Sequence, residues 1–151
     1  MTVQDFIVNY SATFQYLHDR FGKAAVIDLW EYLGETGTEL YDMVKEKGMD
    51  GYYEYFYGEK GTCTREDVIG GVYYNESGVL CEHVDCCPSV GELEARGKRP
   101  YRYYCEHCYW LYHKAVEENG FGFDIDFELQ PWEEGYAKRC SLYVMPKEDT
   151  K

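Results

Sequence analysis

Five of the seven cysteines of this 151-residue chain fall in two short stretches. LCEHVDCCPSV, Leu80 to Val90, holds Cys81, Cys86 and Cys87, and YYCEHCYW, Tyr103 to Trp110, holds Cys105 and Cys108. Two of the four histidines, His83 and His107, lie in the same stretches. Thiols at this density admit four roles: disulfides, metal ligands, a catalytic nucleophile or core packing. An odd count fits poorly with a fully paired framework. The N-terminal MTVQDFIVNYSATFQYL has neither a basic start nor a long apolar run, so it does not read as a secretory signal. The expected compartment is the cytoplasm, where thiols stay reduced.

The set Cys81-x4-Cys86-x18-Cys105-x2-Cys108 approaches zinc-ribbon spacing, and thiolates are ligands zinc takes. Two local features oppose a ribbon. Its cysteines belong in tight turns, whereas Cys105 and Cys108 fall in a helical pattern, and on a strand Cys81 and Cys86 point to opposite faces. A less regular site holding zinc or iron stays open, with Cys87, Cys105, Cys108 and Cys140 as its ligands. A redox C-x2-C reading is weak, because Cys105 lies more than a turn beyond Pro100, away from the helix N-terminus that lowers thiol pKa values. Taken singly, each cysteine reads as a buried filler, Cys63 most plainly; only the clustering argues for chemistry. His83 and His113 read as ordinary hydrogen-bonded histidines, His18 as solvated, and Asp124 with Asp126 as a solvated strand face. Trp30, Trp110 and Trp132 read as packing anchors.

The elements that must position these groups follow from periodicity. Val3, Phe6, Tyr10, Phe14, Leu17 and Phe21 recur at helical spacing, and Gly22 closes that helix. A second helix begins near Lys23 and is interrupted by GETG at 34–37. Thr38 is the expected N-cap of ELYDMVKEK, which stops at Gly48. DGYYEYFYGEKG suits a short helical turn. TCTREDVIGGVYY and GVLCEHVDC flank the turn cluster NESG and read as a β-hairpin. Cys87-Pro88 ends its second strand, and GELEARGKRP reads as a polar loop. From Tyr101 to Asn119 no glycine or proline intervenes; one long helix is expected, with Cys105, Cys108, Leu111, Tyr112 and Ala115 on one stripe. FGFDIDFELQ alternates as a half-buried strand that Pro131 breaks, and KRCSLYVM is the last strand. The expected fold is one α+β domain: residues 1–60 helical, residues 61–146 a sheet plus a long helix, the antiparallel sheet covered by helices.

Composition bounds the partners. The chain carries 28 acidic against 15 basic residues, a net charge of −13. Nucleic acid and anionic membrane surfaces, which need a basic stripe, are not expected partners, and no apolar run reaches the length of a membrane span. Aromatic residues make up 18% of the chain, 17 of them tyrosine; rings with polar tips suit a small polar organic ligand.

The second half resembles the L-2-amino-thiazoline-4-carboxylic acid hydrolase-like family over roughly residues 65–145. The shared features are a strand ending in Cys-Pro (HVDCCPS), a Tyr-Cys near a helix start (YYCEHCYWLYH), a Gly-Phe entry to an apolar strand (NGFGFDIDFEL) and a terminal Gly-x4-Cys before an alternating strand (EGYAKRCSLYV). The last element is also similar to the ending of vinyl-reductase-type small-ligand domains. The resemblance implies hydrolytic opening of a cyclic thiazoline amino acid, with Cys87, Cys105 and Cys140 as the positions that carry over. It implies Cys105 or Cys87 as nucleophile and His83 or His107 as base, or else thiolates holding a metal that activates water. Tyr103, Tyr104 and Tyr112 are expected to line the cavity. Cys86 beside Cys87, and Cys108 where the family is expected to carry a polar residue, depart from the pattern. The competing expectation is a non-enzymatic metal or small-ligand sensor.

Overall fold

The computed structural model describes residues 2–59, 61, 70–85, 87–127 and 139–148. Helix α1 (Val3–Phe21) opens on a reciprocal cap: the Asp5 N–H donates to the Thr2 hydroxyl and the Thr2 N–H to the Asp5 carboxylate, each at 3.1 Å. Helices α2 (Lys23–Thr36), α3 (Thr38–Lys47) and α4 (Met49–Tyr57) follow. Strands β1 (Gly71–Tyr74) and β2 (Leu80–Val84) form the expected hairpin. Its turn is held by Asn75, whose side-chain oxygen accepts from the Ser77 and Val79 N–H groups at 2.9 and 3.0 Å. Then come α5 (Pro88–Ala95), a 3₁₀ turn (Tyr104–Glu106), α6 (His107–Glu117), β3 (Gly122–Asp126) and β4 (Cys140–Met145). The fold is α+β, with a four-stranded antiparallel sheet in the order β1-β2-β4-β3.

Several boundaries differ from those read in the sequence. Helix α2 passes through Gly34 instead of stopping there. A Cβ at Gly34 would stand 2.6 Å from the Leu111 carbonyl oxygen, so the glycine serves the close approach of α2 to α6. Thr38 is the first helical residue, and Gly37 occupies the cap position without a side-chain cap bond. Strand β2 ends at Val84, and Cys87 caps α5, with Pro88 at its first turn. That proline is pre-set for helix and lacks the N–H that would go unpaired, so the supposed loop is helical to Ala95. The single helix expected from Tyr101 is divided. The Tyr101 N–H donates across the chain to Ser11 Oγ at 2.8 Å, and the Tyr104 N–H reaches back to the Tyr101 carbonyl at 2.9 Å, closing a tighter turn before α6 begins. Cys63, Cys86, Leu129, Pro131, Trp132 and the EEGY turn lie outside the described residues.

The side-chain alternation of the sheet defines one face by Leu80, Glu82 and Val84 of β2, Cys140, Leu142 and Val144 of β4, and Phe123 and Ile125 of β3. Apart from Glu82 these join a core with Leu40, Val44, Tyr52, Phe56, Ala115 and Val116 from α3, α4 and α6. A second core gathers Phe14, Val26, Trp30, Val90, Leu93, Tyr101, Tyr104 and Cys105. The stripe expected on one long helix is therefore shared out: Cys105 belongs to the second core, whereas Tyr112 and Ala115 pack in the first. Among the described residues no helix is long and apolar enough to cross a membrane.

The Gly34 contact gives a direct test. In a helix interior Gly→Ala gains about 1 kcal/mol of propensity, but a methyl driven into a carbonyl oxygen costs about 1–3 kcal/mol or more. The Gly34→Ala protein is expected to unfold at a lower urea concentration than wild type. An unchanged or raised midpoint would refute the backbone approach.

Candidate functional site

Glu82 is the acidic residue on an otherwise apolar sheet face. It is only 6% exposed, and one hydrogen bond is set against its burial: the Tyr57 hydroxyl, carried by the last residue of α4, donates to Oε2 at 2.5 Å. Burial dominates, lifting the carboxyl to about 7, while the Tyr57 bond opposes the rise. Glu82 therefore exchanges its proton near neutrality. The Tyr52 phenol, fully buried nearby, is raised well above its usual value by burial and then by Glu82.

Helix α6 brings a thiol and an imidazole to the same neighbourhood. His107 Nδ1 lies against the Tyr104 carbonyl oxygen. A carbonyl only accepts, so Nδ1 carries the proton. Burial keeps the ring neutral by lowering its pKa, against the raising effect of that backbone bond. Nε2 is then left as a bare acceptor, and it lies 3.6 Å from Cys108 Sγ, a thiol-to-imidazole hydrogen bond. Burial, followed by the nearby Glu82 charge, pushes the Cys108 thiol up to about 12. It rests as a thiol, and any activation must come from His107 and from the approach of a ligand.

The other thiols converge electrostatically on this point. The Cys140 thiol on β4 is raised above its ordinary value first by burial, then by Cys108, Cys87, Cys105 and Glu82. Cys87 at the start of α5 and Cys105 in the 3₁₀ turn pack in the second core and Cys140 against the first, while the charges of Cys87 and Cys105 still reach the Cys140 thiol. They do not form an evident cation site: among the described residues no group of three His, Cys, Asp or Glu side chains is arranged to hold a metal ion.

The remaining sequence-selected groups are dispersed. His83 points to the opposite sheet face from Glu82. There Nδ1 is 2.8 Å from the fully buried Ser141 hydroxyl, and Nε2 is 3.0 Å from Tyr73. Tyr104 is 2% exposed, its phenol raised by burial while a bond with Ser89 pulls the other way. Tyr112 packs edge-on against Phe56, with ring centroids 5.0 Å apart. Tyr103 lies elsewhere, stacked on His18 with Lys23 Nζ 3.9 Å above its ring. His18, read as solvated, in fact bonds through Nδ1 with the Tyr101 hydroxyl at 2.8 Å. Glu82 and Tyr57 were not singled out by sequence. The alternation of LCEHV, which puts Glu82 in line with Leu80 and Val84, was the available signal.

Comparison with family models, curated proteins and solved structures returns no match.

Glu82 also makes stability depend on pH. Its pKa is about 7 when folded against an ordinary 4.5, so between those values the folded state holds a proton that the unfolded chain has lost. Stability then falls as pH rises through this window, by up to about 3 kcal/mol, and levels off above it. Urea midpoints at pH 5 and pH 8 should drop more for wild type than for Glu82→Gln, which has no proton to lose. Equal drops would remove Glu82 as the titrating group.

Proposed function

We propose that this protein is a hydrolase-like catalyst opening a cyclic C–N bond of a small thiazoline-type amino acid, with Cys108, His107 and Glu82 as its working groups. The observation that carries the proposal is the hydrogen bond between the Cys108 thiol and the bare Nε2 of His107, beside a carboxyl that holds its proton up to about pH 7. The substrate class comes from the resemblance to the L-2-amino-thiazoline-4-carboxylic acid hydrolase-like family. The amidine-like ring carbon between sulfur and nitrogen is the electrophile such a constellation suits.

In this mechanism the substrate enters as its amidinium, protonated on the ring nitrogen; the Cys108 proton passes to His107 Nε2 as sulfur bonds to the ring carbon and the carbon–nitrogen π pair moves onto that nitrogen. The carbon–nitrogen ring bond breaks as Glu82 protonates the departing nitrogen. Water, deprotonated by Glu82, then adds to the same carbon. The bond to Cys108 breaks as the hydroxyl oxygen forms the carbonyl and gives its proton to solvent, the His107 proton returns to the Cys108 sulfur, and the product is a carbamoyl-cysteine. The nucleophile is thus one helical turn beyond Cys105 and away from Cys87, the two positions the family pattern favours. Tyr57 holds the Glu82 carboxyl in place through its hydroxyl.

The rival reading, a metal or small-ligand sensor using Cys87, Cys105, Cys108 and Cys140 with zinc or iron, draws no support from ligand grouping among the described residues. The deciding experiment is turnover of 2-amino-thiazoline-4-carboxylate by single-site variants. Cys108→Ser is expected to lower kcat roughly hundredfold or more, and Glu82→Gln to remove a decline in kcat/KM as pH rises above about 7. Full activity in Cys108→Ser, or stoichiometric zinc or iron in protein purified without oxygen, would defeat this reading.

A further inference from the structure

A second feature lies on the surface, apart from the thiols. The segment GKRPYR, Gly97 to Arg102, places three of the fifteen Lys and Arg residues within six positions of a chain with net charge −13. It borders an open cleft of about 560 Å³ lined by Gln15, His18, Asp19, Arg99, Tyr101 and Arg102. A smaller depression of about 270 Å³ shares Gln15, Arg99 and Tyr101 with it and adds Lys98.

The arginines of this region divide into two kinds. Arg96 is satisfied, reaching Asp5 at 2.9 Å and Glu92 at 2.7 Å. Arg99 and Arg102 are exposed and have no ion pair or hydrogen bond among the described residues. Arg102 makes only a ring contact, 5.4 Å from the Tyr103 centroid. Two guanidinium groups without an ion-paired carboxylate among the described residues, in a protein with nearly twice as many acids as bases, mark a place where donors stand ready for a ligand.

The segment is also held firmly. The Tyr101 N–H donates to the buried Ser11 hydroxyl, and the Tyr101 phenol meets His18 Nδ1, each at 2.8 Å. The Lys98 N–H donates to the Leu93 carbonyl at 2.8 Å, and Pro100 fixes its own backbone angle. The phenol stays protonated at neutral pH, since burial foremost raises it to about 12. Asp19 is the carboxylate of the cleft, and one of its oxygens already accepts from Gln15 at 2.8 Å.

We infer that this cleft binds a small oxyanion-bearing ligand, a carboxylate or a phosphate, gripped by Arg99 and Arg102 and oriented by His18 and Asp19. Guanidinium groups match the planar, paired oxygens of such groups, and a cleft already fixed in shape pays less ordering entropy on binding. Asp19 can accept a hydrogen bond from a ligand oxygen that keeps its proton, such as the hydroxyl of monohydrogen phosphate.

The test is a titration of the ¹⁵N-labelled full chain, read at arginine side-chain signals, with inorganic phosphate in one arm and succinate in the other. Saturable shifts are expected in at least one arm, and the arm that responds names the source of the oxyanion. The Arg99→Gln, Arg102→Gln double variant is expected to weaken binding roughly tenfold or more, the loss of charge-assisted bonds. Lys45→Gln, an exposed lysine on α3 away from the cleft, should leave it unchanged. Shifts that never saturate in either arm, or equal affinity in the double variant, would overturn the inference.

Discussion

The hydrogen bond from Tyr57 to Glu82 is the constraint around which the sheet and helices are arranged. A carboxyl on the core face of a central strand is costly to bury, and a single strong donor offsets part of that cost. The donor comes from the end of α4, so α4 must lie across β2 at one fixed height. Helix α6 then fills the adjoining space, and its Cys108 side chain feels the carboxyl directly. An apolar residue at position 82 would remove this polar tie between the end of α4 and β2. The acid fixes their register, much as a buried polar group fixes alignment in other packed assemblies.

Much of the architecture was legible because it rests on patterning. The helical faces of α1 and α3, the NESG hairpin and the alternating strands are each set by local periodicity, which survives folding. Two of the misplaced boundaries are decided by partners distant in sequence. Gly34 answers to the Leu111 carbonyl that a Cβ would meet, and the turn before α6 tightens where Ser11 takes the Tyr101 amide. No local rule contains those partners.

The site was legible in its elements and not in its roles. The cysteine-rich stretches supply Cys87, Cys105 and Cys108, whose charges act on the Cys140 thiol. Which thiol meets an imidazole depends on a backbone carbonyl, that of Tyr104, fixing the His107 tautomer, and sequence spacing does not encode a tautomer. His83, with the same flanking cysteines, was turned away by the two-residue period of the strand. That same period turned Glu82 inward.

The sheet order places β2 and β4 between β1 and β3, so Glu82 and Cys140 stand on the two inner strands, each paired on both sides. Edges of a sheet open in local fluctuations at little cost, whereas inner strands release their hydrogen bonds only when most of the domain comes apart. Groups anchored there keep their spacing while loops and termini move. The burial around the carboxyl is therefore a property of the whole fold, and it persists for as long as the domain itself does.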